Sequence, residues 1–142
     1  MKISARNILA GNVSKVTMGA VNAEVVLALE GGGETVVAII TNDSASHLGL
    51  KEGMRAYAIV KASWVILGKG LDPKKLSARN VLRGKVVRVD EGAVNNEVVL
   101  KLDGGAEVAA IVTRESSHAL ALKAGAEADI AFKANNVIIA VD

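Results

Sequence analysis

The feature that most constrains this chain is that it contains one sequence twice. Ser4-Ala5-Arg6-Asn7 recurs as Ser77-Ala78-Arg79-Asn80, and Gly11 recurs as Gly84. The stretch from Gly19 to Leu29 recurs from Gly92 to Leu102 with only Ala23/Asn96 and Ala28/Lys101 exchanged. Past the glycine cluster Gly31-Gly32-Gly33, which faces Gly104-Gly105-Ala106, the second copy is one residue shorter. A deletion beside a turn is what a hairpin absorbs most easily. The register then resumes, with Thr41 and Ser44 facing Thr113 and Ser116, Gly53 facing Gly125, and Lys61-Ala62 facing Lys133-Ala134. Two copies make a duplication rather than a solenoid. Between them, Gly68 to Lys75 holds the single proline and three lysines and reads as a linker. The expected organisation is a first module at 1–68, a linker at 69–75 and a second module at 76–142.

Modules of this size sit where one hydrophobic core is marginal, and no cysteine is available for a disulfide or a thiolate metal site. The apolar half of the composition is mostly Val, Ala, Leu and Ile, with Tyr57, Trp64 and Phe132 the only aromatics. Thin cores of this kind predict further burial through oligomerisation. The net charge is +2, from 17 basic and 15 acidic residues interspersed along the chain, which is not a nucleic-acid signature. Lys61 interrupts the longest apolar stretch, Ala56 to Gly68, well short of a membrane span. The repeated sequence begins at Ile3, and the expectation is a soluble cytoplasmic protein without a secretory leader.

Within one copy the pattern reads strand, strand, strand, short helix, strand, strand. Asn22 to Leu29 alternates, placing Val25, Leu27 and Leu29 on one face and Glu24, Val26 and Ala28 on the other. The Glu30–Gly33 cluster turns the chain into Thr35 to Thr41, and Asn42, Asp43 or Ser44 can cap a short helix ending near Gly49. Lys51-Glu52-Gly53 is a turn, Ala56 to Lys61 a strand, and Val65-Ile66-Leu67 closes the unit. The fold class is therefore all-β: two tandem OB-like, five-stranded antiparallel barrels, each with one short helix.

The Ser-Ala-Arg-Asn motif, the Gly-Ala-Val-Asn-x-Glu-Val segment and the later Lys-Ala-Ser/Asn-x-Val-Ile each occur twice, in the same order. In these the chain resembles the molybdenum-pterin-binding family, or molbindins, in its two-module Mop/TOBE form. The resemblance covers nearly the whole chain. It implies binding of molybdate or tungstate without chemistry, for intracellular storage and homeostasis. It also implies OB-like modules assembled as a homotrimer, with the oxyanion held at subunit interfaces and no other cofactor. Carried over by position, the oxyanion-binding residues are Ser4, Arg6, Thr41, Ser44, Lys61 and Ser63 in the first module. In the second they are Ser77, Arg79, Thr113, Ser116, Lys133 and Asn135, the last replacing a serine with an amide that can also donate. A further kind of site in the family uses backbone near the Val-Asn segment, which makes Val21, Asn22, Val94 and Asn95 secondary candidates.

The chemistry of these residues is consistent with that implication. Molybdate is a dianion with four oxygens and no donors, so a selective site needs several N–H and O–H donors and only one or two cations. Ser, Thr, Asn and Lys at strand ends supply them. Read without the resemblance, Ser-Ala-Arg-Asn suits a solvated strand end, Thr41 and Ser44 a strand end and helix cap, and Asn22 and Asn95 turn amides bonding their own backbone. The glycine cluster lacks the Lys-Ser/Thr of a phosphate loop and reads as a hairpin turn. His47 and His118 are out of register in the repeat, so no bare metal site is assigned. Glu24 and Glu97 recur without an identifiable partner at catalytic spacing, and no catalytic residue is assigned. Two other functions compete. An OB-type nucleic-acid binder would need aromatic platforms and a basic groove, yet Trp64 faces Asn136 in the repeat. A purely structural oligomerisation module would bind no saturable ligand.

Overall fold

The computed structural model describes residues 1–142. The first copy folds as β1 (Asn7–Met18), β2 (Asn22–Leu29), β3 (Thr35–Thr41), α1 (Asn42–His47), β4 (Arg55–Val60), a 3-10 turn at Ala62–Trp64, and β5 (Ile66–Gly68). The second copy repeats this order. It comprises β6 (Asn80–Glu91), β7 (Asn95–Leu102), β8 (Glu107–Thr113), α2 (Arg114–Ala119), β9 (Glu127–Phe132), a 3-10 turn at Ala134–Asn136, and β10 (Ile138–Ala140). The all-β, OB-like expectation is met: two curled five-stranded sheets, antiparallel throughout, each with one short helix after its third strand. No helix is long and apolar enough to cross a membrane.

One expectation fails. Val65-Ile66-Leu67 does not close the first module, because the two modules exchange their last strands. The sheet orders are β10-β4-β1-β2-β3 and β5-β9-β6-β7-β8. Ile66, Leu67 and Gly68 pair with Ala131, Ile130 and Asp129, while Ile138, Ile139 and Ala140 pair with Ile59, Ala58 and Tyr57. Both closing segments read Val followed by two large aliphatics and a small residue, so either copy offers the same edge the same side chains. The exchange merges two thin cores. Twenty-five buried residues from both copies form one continuous cluster, with Val25, Leu27, Val98 and Leu100 among its most enclosed members.

β1 is long because it serves two neighbours, pairing with β4 over Asn7–Asn12 and with β2 over Gly11–Met18. Within the β2-paired stretch the register slips at a bulge around Ser14, and β6 does the same against β7 around Val87. Gly11 sits at the overlap, where a Cβ would lie 2.3 Å from the Ala28 carbonyl oxygen, so no side chain fits. In β2, Val25, Leu27 and Leu29 are buried and Glu24, Val26 and Ala28 half-buried, as the alternation predicts.

The modules are also joined by polar groups. Asn7 is buried and lies flat against β8: its Nδ2 donates to the Ala109 carbonyl at 2.8 Å and its Oδ1 accepts the Ala109 N–H at 2.7 Å. Asn80 does the same to Val37 on β3, at 2.8 and 2.7 Å. The β2–β3 and β7–β8 turns meet tip to tip. Gly31, at φ 93°, approaches the Gly104 carbonyl so closely that a Cβ would fall 1.9 Å from it, and the Glu34 carboxylate accepts the Gly104 N–H at 3.1 Å.

Candidate functional site

The strand exchange regroups the candidate residues. The 3-10 turn that follows Lys133 packs on β3 of the first module, and the turn that follows Lys61 packs on β8 of the second. Thr41 and Ser44 therefore share a cleft of about 380 Å³ with Asn135, bounded by Ile39, His47 and Ile138. By the same symmetry Thr113 and Ser116 belong with the Lys61–Ser63 segment. Each 3-10 turn thus meets the third strand of the other copy, next to that copy's threonine and serine.

The hydroxyls are fixed by the helix start. The N-cap of α1 is Thr41 rather than Asn42, Asp43 or Ser44: its Oγ1 accepts the Ser44 N–H at 3.0 Å. With that oxygen accepting, Thr41 donates its proton to Ser44 Oγ at 2.8 Å, which leaves the Ser44 proton free to donate outward. Thr113 and Ser116 repeat the arrangement at 3.0 and 2.7 Å. Capping and ligand donation are thus compatible in one pair of side chains.

Lys61 and Lys133 are not inside a strand. β4 and β9 end at Val60 and Phe132, and each lysine is the exposed residue preceding a 3-10 turn. Lys61 Nζ lies 5.6 Å from the centroid of the Trp64 ring. Lys133 has no such rest, since Asn136 occupies the Trp64 position. Ser63 and Asn135 are exposed on these turns, and Ser4 and Ser77 are exposed ahead of β1 and β6.

The arginines have partners that the sequence did not reveal. Arg6 grips the Glu97 carboxylate with both terminal nitrogens, at 2.5 and 2.8 Å, and Arg79 reaches Glu24 at 3.2 Å. The Glu97 hydrogen bonds first, and its charge second, raise the Arg6 guanidinium above its ordinary value. Each pair joins the two copies. The available signal was the exact recurrence of one acidic and one basic position, though nothing local says that they meet across modules. His47 was also missed as a lining residue; its place in the repeat is Ala119.

The secondary candidates border these clusters at the β1–β2 and β6–β7 turns, where Asn22 pairs across the sheet with Thr41 and Asn95 with Thr113. Val21 and Val94 are each 72% exposed, while their carbonyls accept the first helix amides, Asn42 N–H at 3.0 Å and Arg114 N–H at 2.8 Å. The turn amides do not bond as expected. Gly19 N–H goes to the Asn22 backbone carbonyl at 2.8 Å, and Gly92 N–H goes to the side chain of Asn96 at 3.2 Å, not of Asn95.

The TOBE domain family matches this chain twice, over residues 3–67 and 76–139. The chain is a tandem TOBE-domain protein of the molbindin family. This molbindin is 44% identical over 141 residues to the molybdenum-pterin-binding protein MopA of Rhodobacter capsulatus, covering 99% of the chain and 53% of MopA. It is 48% identical over 67 residues to molybdenum-pterin-binding protein 3 of Clostridium pasteurianum, covering 47% of the chain and 97% of that smaller protein. It is also 44% identical over 142 residues to the molybdenum transport protein ModE of Azotobacter vinelandii, covering 99% of the chain and 52% of ModE. The chain thus spans about half the length of MopA and ModE. Among solved structures, the cytoplasmic molybdate-binding protein ModG, in a form with molybdate bound, superposes with a TM-score of 0.93 at 49% identity over the whole of both chains.

Proposed function

We propose that this molbindin binds molybdate or tungstate reversibly and without chemistry, as a cytoplasmic store. Each site is built from two modules. The observation that carries the reading is the exchange itself: it brings an outward-donating Thr/Ser pair on one module beside the lysine-led 3-10 turn of the other. Ser44 O–H and the Asn135 amide line one cleft, and the Lys133 ammonium and Arg79 guanidinium would add two cationic donors, a set suited to a dianion of four acceptor oxygens. Ser116, Ser63 and Lys61 form its counterpart. Likeness to ModG, which binds molybdate, favours the same class of ligand here.

The functional unit is a homotrimer in which neighbouring subunits narrow these clefts. One tetrahedral ion fills only a small part of 380 Å³. Ile8, Ile66 and Ile138 stand 42, 56 and 48% exposed on the outer sheet faces, apolar surface that a subunit contact would cover. The Arg6–Glu97 and Asn7–Ala109 contacts favour a second reading, in which the Ser-Ala-Arg-Asn motif serves assembly alone. Calorimetric titration separates the two. Saturable heat with molybdate and tungstate but not sulfate or phosphate, weakened in the Lys61→Ala/Lys133→Ala double variant, is expected. Absence of saturable heat would leave the structural reading standing, and a monomer by light scattering would remove the trimer.

A further inference from the structure

Glu24 and Glu97 occupy the same place in the two copies, and each holds the arginine of the other copy's Ser-Ala-Arg-Asn motif. They hold it unequally. Glu97 takes Arg6 through both carboxylate oxygens, at 2.5 and 2.8 Å, and Arg88 Nη2 lies 3.6 Å from the same group. Glu24 meets Arg79 through one contact of 3.2 Å, and the residue at the place of Arg88 is Lys15. The Glu97 side chain is also the less exposed, 21% against 33%. Both glutamates flank the proposed sites. Glu24 pairs across the sheet with Ile39 and Glu97 with Ile111, each two residues before the site threonine, so carboxylate and hydroxyl lie along one face.

A carboxylate presents two oxygens to a guanidinium in the geometry that two oxygens of a tetrahedral oxyanion would use. Carboxylate and oxyanion therefore compete for the same N–H donors. Resting on the oxyanion reading above, we infer that Glu24 and Glu97 are internal competitors that position the two arginines, and that their unequal grip makes the two sites of one chain unequal. The site served by Arg79, with Thr41, Ser44 and Asn135, is the tighter. The site served by Arg6, with Thr113 and Ser116, is the weaker, because Glu97 already occupies the guanidinium edge.

The test is molybdate titration calorimetry on the full chain, comparing wild type with Glu24→Gln and Glu97→Gln. Two affinity classes are expected in the wild type. Glu97→Gln tightens the weaker class by about tenfold, as release of two charge-assisted bonds allows, whereas Glu24→Gln changes the stronger class by no more than about threefold. Loss of a purely structural strap would not raise affinity. The gain should persist in about 0.5 M KCl, where the general effect of removing one exposed charge is screened. Glu97→Asp keeps the charge and withdraws it by one methylene, so it should give part of the gain, and it carries the test if Glu97→Gln does not fold. Equal effects of the two Gln variants, weakened binding, or a gain that vanishes with salt would overturn the inference. No heat in the wild type would instead overturn the oxyanion reading itself.

Discussion

Replacing Asn7 with Ala should cost this protein a large part of its stability, because one buried amide joins the two modules. Asn7 is 2% exposed, and its Nδ2 and Oδ1 satisfy both backbone groups of Ala109, itself 6% exposed, at 2.8 and 2.7 Å. Alanine leaves that N–H and C=O without partners in a place water cannot easily reach. Each unsatisfied buried group costs about 1–3 kcal/mol, so the expected loss is about 4 kcal/mol, within a range of about 2–6. Against a typical total of about 5–15 kcal/mol this is severe, and it corresponds to a fall in Tm on the order of 10 °C. Urea unfolding followed by circular dichroism at one fixed protein concentration measures it, the concentration mattering because an oligomer gains stability by mass action. Asn80→Ala removes the same two bonds to Val37, but Val37 is half-buried and water can replace part of what is lost. It should therefore cost less. An Asn7→Ala protein within about 1 kcal/mol of wild type, at unchanged m-value, would show that this amide contributes little to holding the modules together.

Three further outcomes are expected. Trp64 is the only tryptophan and sits beside Ser63 with Lys61 over its ring, so its fluorescence should change as molybdate fills the Lys61 site. That change should disappear in Lys61→Ala and survive in Lys133→Ala; a signal indifferent to Lys61 would place the ligand elsewhere. Ser117 is 1% exposed and its Oγ has no hydrogen-bond partner, while the first copy carries Ala45 at the same place. Ser117→Ala should accordingly raise stability by about 1 kcal/mol in urea unfolding, and a loss would mean that the hydroxyl is satisfied. His118 hydrogen-bonds Glu91 at 2.8 Å, and that bond first, then the imidazolium charge, holds the Glu91 carboxyl below its usual range. A carboxyl lowered on folding stabilises above its unfolded pKa and loses that contribution as pH falls through the folded value. Carboxylate NMR should therefore show Glu91 titrating low in the wild type and returning toward the ordinary range in His118→Ala, and an unmoved titration would exclude the pair.

The elements were legible because each depends on a local pattern. The period-two run in Asn22–Leu29 forms β2 with the predicted buried face, and the glycine cluster makes the predicted turn. The helix is present as expected, although its cap shifts back one residue to Thr41, whose side chain reaches the Ser44 N–H better than the residues after it could. Lys61 looked like a strand residue because apolar neighbours surround it. In the structure the chain has already left β4 and started a 3-10 turn, whose short period pure alternation does not register. Glu24 and Glu97 offered the least to read, since their partners Arg79 and Arg6 lie in the other copy.

The amino-acid sequence by itself determined that there are two like modules, that they are all-β, and which polar residues recur at strand ends. Only the tertiary structure decided which of those residues meet. The reason is the duplication that made the sequence informative. Val65-Ile66-Leu67 and Val137-Ile138-Ile139 have nearly the same side chains and can complete either sheet equally well by local criteria. The exchange comes with other contacts that exist only once both copies are folded: Asn7 on Ala109, Asn80 on Val37, and the two glycine turns tip to tip. The buried carboxylate of Asp129 acts with them, accepting the linker N–H of Leu71 at 2.8 Å just beyond the exchanged strand β5. Hydrophobic periodicity specifies which face of a strand is buried, and it is silent on which of two available edges that strand will join.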